Sequence, residues 1–174
     1  RQDSYKIFKT LSDAGLNKGV SLSLQSLNED TLRDTKRENI SVDSFRDIQK
    51  VLTAHKIETF TDIILGLPNE TYESFVDCVS AVIENGQHNR IQFNNLSIVP
   101  NSEMGDLEYQ KKFGFNLLKT RLINIHGSLA DDNEPYEIQQ LVVGTTTLPK
   151  EDWVRIRVFG WLVSLLHFNK LTQI

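Results

Sequence analysis

The sequence predicts an α/β fold with a parallel sheet, and three observations support this prediction. Segments with strand patterns near residues 19–26, 59–65 and 91–99 alternate with segments that have helical patterns. A strand–helix–strand order that occurs twice in succession requires parallel strands joined by right-handed crossovers. The 174 residues are 39% hydrophobic and 24% charged, which is typical of a globular domain with one core.

The first elements follow from local patterns. "SYKIFKTLSDAG" predicts a helix that ends at Gly15. In "GVSLSLQS", apolar and polar residues alternate, as in a strand with two unlike faces. Asn28 is expected to cap the short polar segment that follows, and Asp43 is expected to cap the helix in "SVDSFRDIQKVLTAH".

The second and third strands flank another helix. "ETFTDIILGL" contains three consecutive apolar residues at 63–65, which predicts burial on both faces of the sheet. "TYESFVDCVSAVIENG" predicts a helix that Thr71 caps and Gly86 ends. "RIQFNNLSIVPNS" predicts the third strand, which Pro100 ends.

The segment after Pro100 is predicted to be mostly helical. A short helix should come first, then an extended or helical piece at "LLKTRLINIH", and "ADDNEPYEIQQ" should be a loop that leads into a helix. The last segment predicts a long helix with Pro149 near its start. This final helix is apolar on most of its surface and therefore needs cover from the fold or from a partner.

Three parallel strands cannot close a barrel, so we expect part of a larger one. Residues 1–101 are interpreted as the C-terminal half of a TIM-type barrel, and residues 102–174 as a helical extension that packs on it. Because a half barrel exposes strand edges and apolar surface, we expect the isolated chain to form a homodimer.

Composition excludes several classes of function. The net charge is −4 and there is no basic cluster, which argues against nucleic acid as a partner. No apolar tract is long enough to span a membrane and there is no signal-peptide pattern, so we expect a cytoplasmic location. The single cysteine, Cys78, excludes internal disulfides and is expected to be a buried, inert thiol. The four histidines lack ligand spacing, so no metal site is predicted.

The candidate site lies where the predicted strands end, because ligands of parallel α/β proteins meet the carboxyl ends of the strands. Those ends offer a rim of hydroxyls and amides that would suit a polar organic ligand such as a nucleoside. Gly66 would let a ligand approach the backbone closely, or would simply form the turn. Asp62 and Glu70 are candidates for a general acid and base, although no nucleophile accompanies them. The rim comprises Ser23, Gln25, Ser26, Asp62, Gly66, Pro68, Asn69, Glu70, Asn94, Asn95, Ser97 and Asn101.

Several segments together resemble the second half of a radical S-adenosylmethionine (SAM) enzyme. They are "GVSLSLQSLNEDTLRDTKREN", "FTDIILGLPNETYESF", "LSIVPNSEM" and "VVGTTTLPKEDW", which occur in the expected order. Within that superfamily the chain is similar to the branch with an N-terminal cobalamin-binding domain, which includes anaerobic magnesium-protoporphyrin monomethyl ester cyclases. The resemblance implies a parent protein that carries out methyl transfer or oxidative cyclisation with SAM, a [4Fe–4S] cluster and cobalamin.

The resemblance also implies roles for residues in the SAM pocket. Gln25 would hold the ribose, Asp62 would meet the ribose hydroxyls, and Arg37 would pair with the carboxylate of SAM. The backbone from Ile64 to Gly66 would lie against the adenine, and Glu70 would be mainly structural. The implied cofactor-binding set is Ser23, Gln25, Arg37, Asp62, Ile64, Gly66 and Pro68, with no catalytic residue and no metal ligand.

The chain departs from the family pattern because it has no CxxxCxxC loop and no glycine–glutamate motif. We therefore expect this chain alone to bind no cofactor and to need the N-terminal barrel half and the cobalamin domain of the same protein. A non-catalytic α/β binding or assembly module is the alternative interpretation. A hydrolase that uses Asp62 and Glu70 ranks last.

Overall fold

Strands and helices alternate through the first hundred residues, as the sequence predicts. The computed structural model describes residues 2–122, 136–169 and 171. The elements are α1 (Gln2–Asp13), β1 (Val20–Ser21), α2 (Glu29–Asp34), α3 (Val42–Ala54), β2 (Thr59–Leu65), α4 (Tyr72–Glu84), β3 (Ile91–Asn95), β4 (Ser97–Ile98), α5 (Leu107–Phe113), β5 (Asn116–Arg121), β6 (Ile138–Gly144) and α6 (Lys150–Val163). A 3₁₀ turn at Glu103–Gly105 precedes α5, and a π-helical turn at Ser164–Phe168 continues α6.

The first sheet has three parallel strands in the order β1–β2–β3, which confirms the predicted topology. Val20 pairs with Thr59, and Thr61 pairs with Ile91. Gln25 extends the first strand through an isolated bridge to Ile63. The three strand segments therefore end side by side at one edge of the sheet, where a ligand is expected.

The helices cover one face of this sheet and leave the other face open. Ile63 and Leu65 are each 1% exposed, whereas Asp62 and Ile64, on the opposite face of β2, are only half-buried. The predicted burial of β2 on both faces is therefore wrong, because helices cover only one of its faces. The core on the covered face consists of Leu24, Phe45, Ile63, Leu65, Phe75, Cys78, Val79, Val82, Ile91, Leu148 and Ile156.

Side-chain caps fix where the helices begin. Asn28 caps α2 by accepting a hydrogen bond from the backbone N–H of Thr31, as predicted. Thr71 caps α4, and Ser74 completes a reciprocal capping box with it. The predicted cap of α3 at Asp43 is wrong, because the hydroxyl of Ser41 accepts the hydrogen bond and Asp43 lies in the first turn. An acidic residue in that position is still favourable, since it faces the positive end of the helix dipole.

The segment after Pro100 contains helices, as predicted, and also a second sheet that the sequence patterns did not predict. β5 and β6 pair in antiparallel fashion, and β4 pairs with the other edge of β6. The sequences "NLLKTR" and "IQQLVVG" lack the apolar spacing of a helix, and in β6 the β-branched pair Val142 and Val143 favours a strand. The loop expected at "ADDNEPYEIQQ" lies mainly in residues 123–135, which are outside the described residues.

The two sheets are continuous at the carboxyl end of β2. The backbone N–H of Leu96 donates to the carbonyl of Leu65, and the N–H of Val142 donates to the carbonyl of Leu96. β6 therefore extends the parallel sheet at the edge where β2 and β3 end. The division of the chain at residue 101 stays a prediction, although hydrogen bonds cross it.

The final helix packs on the fold with one side only. It follows Pro149, as predicted, and Ile156 is fully buried while Gly160 lies against Phe93. On the opposite side, Val158 is 52% exposed and Leu162 is 40% exposed. Within the part of the chain that the structure describes, no helix is long and apolar enough to cross a membrane.

Candidate functional site

Gln25 occupies a constrained position at the carboxyl end of the first strand. Its N–H donates to the carbonyl of Asp62 at 3.1 Å, and its carbonyl accepts from the N–H of Ile64 at 3.1 Å. Its φ of +60° lies in the left-handed region, which only the surrounding structure can stabilise in a glutamine. The side-chain Oε1 is buried and has no hydrogen-bond partner among the described residues. A buried acceptor in this state costs about 1–3 kcal/mol unless a ligand satisfies it.

Arg37 and Ile64 line one cavity of about 290 Å³ at the same edge of the sheet. Leu67, Leu96 and Tyr109 contribute further walls. Arg37 is exposed, and within residues 2–122 and 136–169 no carboxylate pairs with its guanidinium group. The cavity therefore combines apolar walls with the guanidinium group of Arg37 and with the carboxylates of Asp34 and Glu103, which pair with Arg33 and Lys36.

A hydrogen-bond network runs across the open face of the first sheet. The hydroxyls of Ser21 and Ser23 lie 2.8 Å apart, and each lies 2.9 Å from Oδ2 of Asp62. Asn94 donates to Oδ1 of Asp62 at 3.1 Å. Two hydroxyl protons serve three short contacts between oxygens, so one contact of this triangle has no proton. Because the hydroxyl and carboxylate oxygens keep free lone pairs, the network can accept a hydrogen bond from a hydroxyl or N–H group of a ligand.

Gly66 and Pro68 are fixed in place by contacts with other residues of the chain. Gly66 has a φ of +88°, and a β-carbon there would lie 3.1 Å from the carbonyl oxygen of Val142. Pro68 is buried, and its carbonyl accepts a hydrogen bond from the hydroxyl of Thr31 at 2.8 Å. The turn therefore requires glycine at position 66, because of the positive φ. The close approach of β6 requires it too, because β6 occupies the space that a side chain would fill.

Glu70 is a buried brace and has no role at the open face. It is 1% exposed, and its carboxylate accepts hydrogen bonds from Ser26 at 2.6 Å and from Ser74 at 2.5 Å. Burial raises the pKa of this carboxyl above its ordinary value, while the two serine hydrogen bonds oppose the shift. Because Glu70 and Asp62 have no hydrogen-bond partner in common among the described residues, the structure gives no support to a general acid–base pair.

One part of the site comes from residues 142–147, which the sequence patterns did not assign to the rim. The hydroxyl of Thr147 donates to the carbonyl of Glu70 at 2.9 Å, and Asn95 donates to the carbonyl of Val142 at 3.0 Å. Trp153 in turn donates to Oδ1 of Asn95 at 2.7 Å. The threonine run "GTTTLP" before the last helix was the available signal, since threonine hydroxyls commonly bond to nearby backbone.

Comparison with known proteins identifies the family. Residues 2–82 match the sequence profile of the radical SAM superfamily. The chain is 34% identical over 170 residues to the cobalamin-dependent radical SAM methyltransferase TokK of Streptomyces tokunonensis, and the alignment covers 97% of this chain and 24% of TokK. The chain belongs to the radical SAM superfamily.

A second relative and a solved structure agree with this radical SAM assignment. The chain is 32% identical over 169 residues to the 2-(S-pantetheinyl)-carbapenam-3-carboxylate methyltransferase of Streptantibioticus cattleyicolor, and the alignment covers 97% of this chain and 24% of that protein. The structure of the radical SAM methyltransferase TsrM from Kitasatospora setae, with tryptophan and the SAM analogue aza-SAM bound, matches over 90% of this chain and 33% of its own length. Its TM-score is 0.57 at 15% identity, which shows a shared fold.

The radical SAM assignment confirms the family resemblance and the barrel-type α/β fold. The chain spans about a quarter of the length of the two curated relatives. Both relatives are methyltransferases, and one is described as cobalamin-dependent.

The described residues of this radical SAM chain do not fit an iron–sulfur cluster. Cys78 is 1% exposed, and burial together with the nearby charge of Glu70 raises the pKa of its thiol to about 12. The thiol is therefore protonated at neutral pH, whereas a cluster ligand must be a thiolate. No group of three or more metal-binding side chains occurs in the described ranges.

Proposed function

We propose that this chain forms one side of the SAM pocket of a radical SAM methyltransferase, in which Gln25, Arg37 and Ile64 contact the cofactor. The observation that carries the proposal is the buried Oε1 of Gln25, which has no hydrogen-bond partner in the described part of the chain, while the backbone of Gln25 is bonded to Ile64. Ile64 in turn lines the cavity that holds Arg37. The three residues come from two strand ends and one loop that meet at a single edge of the sheet.

Gln25 supplies an acceptor for the ribose of SAM. The ribose hydroxyls are donors, and a hydroxyl that reaches the buried Oε1 removes the cost of an unsatisfied acceptor. The left-handed backbone of Gln25 is fixed by hydrogen bonds to Asp62 and Ile64. The backbone that carries the amide is therefore fixed before the ligand arrives, which reduces the entropy cost of binding.

Arg37 and Ile64 complete the contacts in the same cavity. A guanidinium fork that pairs with no carboxylate within residues 2–122 and 136–169 suits the carboxylate of SAM, because two parallel hydrogen bonds can form. The aliphatic side chain of Ile64 and the backbone that leads to Gly66 offer an apolar surface to the adenine ring. A volume of about 290 Å³ is close to the lower end of the usual range for small-ligand sites.

Ser23 and Asp62 hold the ribose from the open face of the sheet. The oxygens of Ser21, Ser23 and Asp62 keep free lone pairs, so a ribose hydroxyl can donate a hydrogen bond to this network. Pro68 stabilises the turn beside the pocket, because its carbonyl accepts a hydrogen bond from the hydroxyl of Thr31.

We assign methyl transfer because both curated relatives are methyltransferases, at 34% and 32% identity. When bound, SAM supplies the methyl group, and this chain binds and orients it. The cluster and the cobalamin would be held by other parts of a protein as long as these relatives, since the described residues here offer no cluster ligand. Those parts are the partners that we propose for this chain.

The test measures SAM binding by equilibrium dialysis in a polypeptide extended to the length of the curated relatives. We expect Arg37→Gln and Gln25→Ala each to raise the dissociation constant about 10-fold or more, since each removes a hydrogen bond to a charged or buried group. The matched control is Arg46→Gln, because Arg46 pairs with Asp43 on the exposed surface of α3. The 174-residue chain alone should bind SAM very weakly.

Equal SAM affinity in Arg37→Gln, Gln25→Ala and the control would contradict this assignment of the pocket. A loss of affinity in the control as well would point to a general electrostatic effect, and it would also contradict the specific role of Arg37.

A further inference from the structure

A second cavity lies between the outer edge of β3 and the side of α6 that packs on it. Its volume is about 460 Å³, which is within the usual range for small-molecule sites. It has no lining residue in common with the cavity that holds Arg37 and Ile64. It is therefore a separate feature of the fold and is independent of the proposed SAM pocket.

The charged side chains that line this second cavity are all positive. Arg90 and Arg157 line it, and no acidic residue does. Neither guanidinium pairs with a carboxylate in the described ranges. By contrast, Arg46 and Arg155 each lie within hydrogen-bond distance of an aspartate. Two unpaired arginines in one concave site of a chain with a net charge of −4 concentrate positive potential there.

The other walls supply flat apolar surface and neutral hydrogen-bonding groups. Phe93 contributes an aromatic ring, and Trp161 contributes another that is 62% exposed. Asn89 and Gln92 add amides beside Arg90. An exposed tryptophan next to arginines suits a ligand with a planar part and an anionic part.

The helix α6 obstructs the addition of a further β-strand at this edge, although β3 pairs only with β2 among the described strands. A β-carbon at Gly160 would lie 3.1 Å from the ring of Phe93, so the helix backbone is already close to this strand. Trp153 closes the carboxyl end through its hydrogen bond to Asn95. α6 thus covers the upper part of the strand edge, and the remaining space fits a small molecule better than an extended peptide.

We infer that the cavity between β3 and α6 binds a small organic anion, with a phosphate or carboxylate group held by Arg90 and Arg157 and a planar group against Trp161. Both guanidinium groups can form bidentate hydrogen bonds with either kind of anion. The amide of Gln92 adds a neutral contact at the edge of the sheet.

The experiment titrates the 174-residue chain with pyrophosphate, citrate and adenosine diphosphate, and follows binding by calorimetry. Pyrophosphate and citrate separate phosphate from carboxylate recognition, and the diphosphate nucleotide adds a planar base. We expect saturable binding that weakens about 10-fold or more in Arg90→Gln and in Arg157→Gln, and that falls as salt concentration rises. Arg46→Gln is the matched control, with the same change of charge on another surface.

Two results would overturn the inference. One is no saturable binding of any of the three probes at millimolar concentration. The other is binding that Arg90→Gln and Arg157→Gln leave unchanged. Arg37→Gln should leave binding at this cavity unaltered, so failure of the proposed SAM pocket and failure of this site are distinguishable.

Discussion

Replacement of Glu70 by alanine tests the role of the turn that links β2 to α4. The Glu70 carboxylate accepts hydrogen bonds from Ser26 on the first strand segment and from Ser74 in the first turn of α4. Its backbone carbonyl also accepts from Thr147 before α6. One side chain therefore joins the strand ends to the helix that covers them, in a position that is 1% exposed.

The expected loss of stability in Glu70→Ala is about 3 kcal/mol, because the substitution leaves the buried hydroxyl of Ser26 and the half-buried hydroxyl of Ser74 without this acceptor. Each unsatisfied buried group costs about 1–3 kcal/mol. The cavity left by the carboxylate adds to this cost. Removal of a buried charge offsets part of it, since burying the carboxylate is itself unfavourable.

The pH dependence of folding stability distinguishes the effect of the Glu70 charge from the effect of its hydrogen bonds. Burial raises its pKa in the folded state above the ordinary value of 4.5, so between the two pKa values the native state binds more protons than the unfolded state. The contribution of this group is therefore greatest below its unfolded pKa and is lost as pH rises through the folded pKa. Glu70→Gln cannot ionise and should remove this part of the decline in stability with rising pH.

The assay is urea denaturation followed by circular dichroism between about pH 4 and pH 8. Glu84→Ala, at the carboxyl end of α4, is the matched control and should change stability by less than about 0.5 kcal/mol. A loss below about 1 kcal/mol in Glu70→Ala, or the same pH slope in Glu70→Gln as in the wild type, would refute the reasoning.

Three further predictions concern the turn at Gly66, the thiol of Cys78 and the exposed surface of α6. Gly66→Ala should cost about 2–3 kcal/mol in urea denaturation, because its φ of +88° and the nearby Val142 carbonyl both oppose a β-carbon, and a loss near zero would contradict this. Cys78 should react with a thiol reagent only as fast as the chain unfolds, so rapid labelling of the native chain would disprove its burial. The isolated chain should form a dimer, since Val158 and Leu162 leave apolar surface exposed on α6. A monodisperse monomer in light scattering would exclude it.

Local sequence patterns correctly predicted features in which a residue bonds to its own neighbours in the sequence. The N-caps at Asn28 and Thr71 follow from short hydrogen bonds within three residues, and both are confirmed. The cap at Asp43 was wrong, because Ser41 and Asp43 are both good capping residues and the chain path decides between them. The strand at β6 was missed, since its pairing with β4 and β5 joins residues far apart in the sequence.

Contacts between residues far apart in the sequence also bear on the interpretation of the candidate site. Gly66 was expected either to let a ligand approach or simply to form the turn, and its missing side chain faces Val142 of β6. Its role towards a ligand stays a prediction. Glu70 was expected to be structural, and its contacts with two serines agree with that expectation. The cavity between β3 and α6 had no signal in the sequence, because Arg90 and Arg157 are 67 positions apart by their numbering.

The sequence by itself determined the order of the strands and helices up to residue 100, the parallel sheet and the family, since these depend on local periodicity and on motifs of consecutive residues. Only the tertiary structure decided which face of the sheet is open, how β6 completes the rim and that Arg90 and Arg157 line one cavity. Those features depend on contacts between distant segments, and their energies come from burial and hydrogen bonds that no short window of sequence contains.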